Sequence, residues 1–337
     1  MTSVFVEKSR EDFAVLKTKS NDQVTLSFDK IDIDSMDMNE KNIVILCGNN
    51  AKSQRTAERY AYHCNNWLKI TKFKKDTTMY SVYYPSVAPL FEENNVRPLD
   101  YRKFAEEMFN KFIYNNGEVN SVDNIKEKLG NTIFFGHSAG GFVMNQLMKN
   151  FGDMLQEADF SRTEIREIFG SVAFIAYAPY ILTKAPIKSV CIAPVYDGMG
   201  SVKLVYKKLV KDNDFTSSKP INIFGENKIT AKGRVQFLRK YVEEMKNENV
   251  LYFLNNNSLF STPSLLYSDG EEEDHNFAGI VNYSTKNGYQ TQAGRLTAKF
   301  ISNAFEYYLA QDRENTNLND LYRQAIKSMN DESINIK

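Results

Sequence analysis

With 337 residues, 42% hydrophobic and 25% charged, the chain has the size for one large α/β domain or two small ones, with an ample core. Lys plus Arg and Asp plus Glu number 42 each, so no overall basic field points toward nucleic acid or an anionic membrane. Three widely spaced cysteines (Cys47, Cys64, Cys191) offer neither a C-x-x-C pair nor metal-ligand spacing, and buried, reduced thiols are the expectation.

In chain order, three strand-like runs come first: Val4–Val6, Phe13–Leu16 and Val24–Ile33. Residues 1–8 hold no apolar signal core, which makes the cytosol the default location and leaves export without a signal open. Asn42–Cys47 is apolar on both faces, the mark of a central strand, and it runs into Gly48-Asn49-Asn50. Ala57, Tyr60, Ala61, Cys64, Trp67 and Leu68 then share one face of a helix. His63 lies off that stripe and reads as solvated. Met79–Tyr84 is the next strand, closed by Pro85. A helix follows with Tyr101, Phe104, Ala105, Met108 and Phe112 on one side.

A strand at Asn131–Phe135 precedes Gly136, and a helix pattern carried by Phe142, Val143, Met144, Leu147 and Met148 comes after it. Phe160–Phe169 is helical in pattern. Val172–Leu182 suits a buried strand or a buried helix, since periodicity does not decide short apolar runs, and it is too short to span a bilayer. Ser189–Pro194, Ile221–Phe224 and Val250–Leu254 are strand candidates. Val235, Leu238, Val242 and Met245 mark a helix, and Leu296–Leu309 a final one. Residues 255–292 read as a long polar loop, and 313–337 as a peripheral, charged tail. Strands alternating with helices predict a mostly parallel sheet covered on both faces, with ligand sites at the carboxyl ends of its strands. The Gly48 loop and Ser138 belong at that end.

The sharpest local signal is Gly136-His137-Ser138-Ala139-Gly140, a G-x-S-x-G turn joining strand to helix. Such a pattern arises by chance in about one chain in twenty of this length. Its position between a buried strand and a helix start is what gives it weight. Glycines on either side let strand and helix approach, while a strained serine backbone lifts the hydroxyl clear of the sheet. The bland alternative is a Gly-rich turn without chemistry.

A serine hydroxyl needs a base to become a nucleophile. The chain has three histidines. His137 adjoins the serine, so its side chain should point away and serve structure. With His63 read as solvated, His275 remains, in the acidic loop Asp269–Gly279. By elimination it is the candidate base. The neighbouring carboxylates favour its protonated form.

The elbow, the upstream strand with its glycine loop and the late loop histidine together resemble the α/β-hydrolase superfamily. The G-H-S-x-G-G form resembles its lipases and esterases in particular. The resemblance implies a central sheet of about eight strands, mostly parallel, with helices on both faces, within a domain of residues 1–312. It also implies the chain order nucleophile, acid, histidine, and an oxyanion hole from the backbone N–H groups of Ala139 and Asn49. The H-G-G-G form of the oxyanion loop is absent. Where the family usually carries its acid, three residues past the glycine of Gly225-Glu226-Asn227-Lys228, this chain has Lys228. Asp197, after the preceding strand, and Glu226 are the two substitutes. Either one also reads as a loop carboxylate capping a helix.

Residues 151–187 fall where the family often inserts a cap. Phe160, Phe169, Phe174, Tyr177, Tyr180, Ile181 and Leu182 there either line an acyl pocket or pack a core. The expected activity is cleavage of a carboxylic ester, lipid-like in character, with no metal or organic cofactor. The rivals are thioesterase, acyltransferase or peptidase chemistry on the same triad, and a hydrolase-like binding protein without turnover.

Overall fold

The computed structural model describes residues 13–22, 25–48, 54–69, 71–84, 99–177, 187–194, 250–255 and 292–310. Strands β1 (Ala14–Lys19), β2 (Asp29–Ile31), β3 (Lys41–Leu46) and β4 (Thr77–Tyr83) come first, with helix α1 (Gln54–Leu68) between β3 and β4. Helix α2 (Tyr101–Ile113), a short hairpin β5–β6 (Tyr114–Asn115, Glu118–Val119) and α3 (Val122–Gly130) lead to β7 (Thr132–His137). Helices α4 (Ala139–Glu157) and α5 (Arg162–Gly170) precede β8 (Ala173–Tyr177), β9 (Lys188–Pro194), β10 (Val250–Asn255) and α6 (Gln292–Leu309).

Eight strands form one sheet in the order β2-β1-β4-β3-β7-β8-β9-β10. Every pair from β4 to β10 is parallel. Strand β1 is antiparallel to both of its neighbours, so it alone runs against the others. The central strands are sealed on both faces: all six residues of β7 and all five of β8 are buried. Unbroken apolar runs are what such burial demands.

Side chains alternate between two cores, as the period of two requires. Val44, Leu46, Phe134, Phe174 and Ala176 face one core, which α2, α3, α4 and α5 close. Ile43, Ile45, Ile133, Phe135, Ala173 and Ile175 face the other, which α1 and α6 close. In the first, Phe109 and Phe151 stack with ring centroids 4.2 Å apart. In the second, Trp67 lies between Phe135 and Phe305, at 5.5 and 6.3 Å. Long-range hydrogen bonds fasten α6. Ser302 donates to the Trp67 carbonyl (2.8 Å), Tyr308 to the Lys188 carbonyl (3.1 Å), and the Lys41 ammonium to the Leu309 carbonyl (3.0 Å) at the negative end of the helix.

Several expectations are sharpened or corrected. The run at 172–182 is a strand where described, because Ala173–Tyr177 pairs with β7 on one side and β9 on the other. Residues 151–177 are the end of α4, then α5 and β8, so they build the sheet rather than a cap over it. Phe169 and Phe174 pack the core. Among the described residues of the Val24–Ile33 run, Asp29–Ile31 is the strand; a single turn of 3-10 helix, Ile33–Ser35, follows. Helix α5 starts after Ser161, whose hydroxyl accepts from the Glu164 amide while the Glu164 carboxylate accepts from the Ser161 amide. Val4–Val6, Ile221–Phe224, the helix around Val235–Met245, the 255–292 loop apart from residue 255 and the start of α6, and the 313–337 tail lie outside the described residues.

His63 is buried, at 8% exposure, where solvation was expected. The buried arc of α1 is wider than its apolar stripe. It includes Asn65, whose side-chain oxygen accepts from the Asn21 amide at 3.0 Å. Burial, and secondarily the Arg59 charge, push the His63 imidazole down to about 3. The folded state therefore binds fewer protons than the unfolded chain once the pH drops below the ordinary histidine value near 6.5. The stability this confers is complete above that pH and is lost as the pH falls toward 3. By pH 5 the loss amounts to about 2 kcal/mol. Urea unfolding at pH 7.5 and pH 5.0 should show His63→Gln losing about 2 kcal/mol less than the wild type between the two.

Candidate active site

Ser138 stands between the last residue of β7 and the first of α4, with φ 52° and ψ −115°. A non-glycine residue held there costs about 1–3 kcal/mol, and such strain persists only where the surroundings enforce it. Here they do. The Ser138 amide donates to the Tyr177 carbonyl at 3.1 Å, tying the turn to β8. Its own carbonyl accepts from the Gly141 amide at 3.1 Å, starting α4. The hydroxyl makes no capping bond to the helix it precedes. Ala139, as the first residue of α4, has an amide with no helical carbonyl four residues back to receive it. Both residues sit at the positive end of a 19-residue helix, where developing negative charge is favoured.

Two glycines make the turn possible. A Cβ on Gly140 would overlap the carbonyl oxygen of Leu46, so only a bare α-carbon lets α4 lie against the end of β3. A Cβ on Gly136 would come within 2.9 Å of the Phe174 ring and 3.0 Å of the Gly140 carbonyl carbon. Strand register does the rest. Leu46 is paired with Gly136, so β3 and β7 end together, and a Cβ on Gly48 would lie 3.5 Å from the Cβ of Ser138. The serine turn and Gly48 just past β3, separate in sequence, therefore meet at the carboxyl ends of adjacent strands.

Beneath them lies a buried polar group. The His137 ring stacks on Tyr177 (centroids 5.7 Å apart, 20° between planes), and its Nδ1 is 2.6 Å from the Tyr60 hydroxyl. The Tyr60 oxygen also accepts from the Gly48 amide at 3.1 Å. Tyr84 donates to the carbonyl of Cys47. Burial raises the Tyr60, Tyr84 and Cys47 groups well above their ordinary values, so all three stay protonated in ordinary buffers. Tyr60 and Tyr84 are the residues that the pattern reading missed as polar partners. Helical spacing counts Tyr60 as one more apolar position on α1, although a buried tyrosine needs somewhere to put its hydroxyl.

Of the sequence-derived candidates, Ser138 and Ala139 are brought together with the Gly48 end of β3. Asn49, Asp197, Glu226 and His275 lie outside the described residues. Among the described residues no group of His, Cys, Asp and Glu is arranged to hold a metal ion. No described helix is long and apolar enough to cross a membrane.

No family model matches the chain, and no curated protein matches it. Among solved structures, one described as a "putative carboxylesterase" from Lactobacillus plantarum is 14% identical, covering 72% of this chain and 88% of that one, with a TM-score of 0.29. A likeness at that level carries no argument about this chain.

The steric reading of the turn has a direct test. Gly140→Ala should lower the unfolding free energy by at least about 3 kcal/mol in urea, because backbone must move. Gly170→Ala, where an added methyl meets nothing within 4 Å, should change it by no more than about 0.5 kcal/mol.

Proposed function

We propose that the protein is a serine hydrolase of the α/β-hydrolase type, cleaving carboxylic esters through an acyl-enzyme on Ser138. The observation that carries this reading is the strained backbone of Ser138 at the strand-to-helix turn, beside the glycine end of β3. A turn needing two bare α-carbons and a left-handed serine is costly for a mere connection. It suits a hydroxyl that a base and a substrate must both reach.

In this reading Ser138 Oγ attacks the ester carbonyl while His275 takes its proton. The tetrahedral oxyanion is held by the amides of Ala139 and Asn49, each contributing about 3 kcal/mol to lowering the barrier. The protonated His275 then gives its proton to the departing alcohol. Water, deprotonated by the same imidazole, attacks the acyl carbonyl, and the imidazolium returns that proton to Ser138 Oγ as the acid leaves. Asp197 or Glu226 orients His275 and stabilises its cationic form. No metal or organic cofactor enters the scheme. With Phe169 and Phe174 committed to the core, an acyl pocket made from the 151–187 aromatics loses support. The ester reading therefore rests on the elbow rather than on a lipid-lined cavity.

A fluorophosphonate probe should label the wild type and leave Ser138→Ala unlabelled; no labelling of the wild type sinks the reading. On p-nitrophenyl esters of graded chain length, one of Asp197→Asn and Glu226→Gln should lose about 10⁴ in kcat and the other far less. Equal small losses would reject both acids.

A further inference from the structure

The strained conformation of Ser138 is held by more than its own backbone bonds. Those bonds fix the peptides on either side of it: the amide donates to the Tyr177 carbonyl at 3.1 Å, and the carbonyl accepts from the Gly141 amide at 3.1 Å. The first of these peptides is planar and includes the α-carbon of His137. Whatever fixes His137 therefore fixes one side of the φ rotation of Ser138, which stands at 52°. His137 is gripped twice. Its ring stacks on Tyr177, with centroids 5.7 Å apart and 20° between planes, and its Nδ1 lies 2.6 Å from the Tyr60 hydroxyl.

A stack keeps a ring from tilting but lets it slide and turn in its own plane; a directional bond to one ring atom stops both. The Tyr60 oxygen that makes this bond is itself pinned, since it accepts from the Gly48 amide at 3.1 Å. The contact forms in either imidazole tautomer, with the proton supplied by the phenol in one and by Nδ1 in the other. Tyr60, His137 and Ser138 are all less than one-tenth exposed, so water competes little for it. Gly48 shows how near the brace is to the serine. A Cβ added there would lie 3.0 Å from Tyr60 Oη and from His137 Nδ1, and 3.5 Å from the Cβ of Ser138. Helix α1, 77 residues earlier in the chain, thus reaches the turn through one phenol.

We propose that Tyr60 is a positioning residue for the nucleophile: by fixing His137 it keeps Ser138 Oγ aimed for attack on the ester carbonyl; this rests on the serine-hydrolase reading. The requirement is geometric. The direction of Oγ follows from the Cα–Cβ bond of Ser138, and that bond from the peptide before it and from φ. If the His137 ring is released, the peptide turns with it and φ relaxes toward the negative values that a serine prefers. A reacting atom displaced by about 1 Å costs about 10²-fold in rate. Neither tyrosine nor histidine touches the reacting atoms; each acts through the backbone of the serine.

The test uses the full chain and a fluorophosphonate, whose phosphorus bonds to Ser138 Oγ as fluoride leaves. Its rate constant reports the reactivity of the folded molecules, and the final labelled fraction reports how many are folded. Tyr60→Phe removes one oxygen and keeps the ring in the core. It should slow labelling about 10- to 100-fold while reaching the wild-type extent. On a p-nitrophenyl ester the loss should fall in kcat, with KM within about twofold. Ser302→Ala removes a buried hydrogen bond at the other end of α1 and should leave the labelling rate within about twofold of the wild type. His137→Asn keeps a polar atom near the place of Nδ1 and should stay within about threefold, while His137→Leu should match Tyr60→Phe. Adding Tyr60→Phe to His137→Leu should slow labelling no further, because both remove the same bond. If Tyr60→Phe does not fold, the Asn and Leu variants decide. A Tyr60→Phe rate within about twofold of the wild type, equal rates for the Asn and Leu variants, or a double variant whose losses multiply overturns the positioning role and leaves the hydrolase reading standing. A smaller labelled fraction at an unchanged rate does the same. A wild type that neither labels nor cleaves the ester overturns both.

Discussion

Helix α4 meets strand β3 backbone to backbone where Gly140 faces the carbonyl of Leu46. That contact has no room for a side chain, and the rest of the site depends on it. Because α4 can lie so close, the chain must reverse from β7 into the helix within one residue. Ser138 takes the left-handed conformation that such a reversal demands. The same closeness brings the end of β3 beside the serine, with Leu46 and Gly136 in register. One steric permission thus produces the turn, the strain and the meeting of the serine with Gly48.

The strain is affordable because it is small beside what surrounds it. Holding Ser138 costs about 1–3 kcal/mol. A single buried aromatic or aliphatic side chain contributes about as much, and the two cores on either side of β7 contain dozens. The polar groups below the turn follow a different logic. Each buried hydroxyl and imbedded backbone group there costs energy unless it is partnered. The Tyr60, Tyr84, His137 and Gly48 bonds satisfy one another and so turn a liability into rigidity.

What was legible in the sequence follows from which signals are local. The β3 and β7 runs, the α1 and α2 faces and the G-x-S-x-G turn each declare themselves within a dozen residues, and the architecture follows from their alternation. The Asn116-Gly117 hairpin is equally local, its two turn residues both at positive φ (52° and 87°) as an Asn-Gly turn requires. His63 lies off the apolar stripe and is buried all the same, because the buried arc of α1 is wider than that stripe and includes polar positions such as Asn65. Residues 172–177 could not be told from a helix because a strand sealed on both faces has no alternation to show. The Tyr60–His137 bond spans 77 residues and joins a position read as apolar to one read as structural filler. Only the three-dimensional arrangement gives it meaning.

The fastening of α6 bears on the order in which this protein is built. The hydrogen bonds from Ser302, Tyr308 and Lys41 that fasten it span 235, 120 and 268 residues, joining it to α1, β9 and β3. Strand β3 and helix α1 leave the ribosome early, yet the helix that covers them is made late. Until it arrives, the surface it covers, formed by Phe135 of the sheet and Trp67 of α1, stays open to water and to other nascent chains. Contacts this distant along the chain also slow folding, since long loops must close before any of them is rewarded. The polypeptide is thus most vulnerable to misassociation during the interval between synthesis of its serine turn and synthesis of α6, and a chaperone that shields that surface would act in that window.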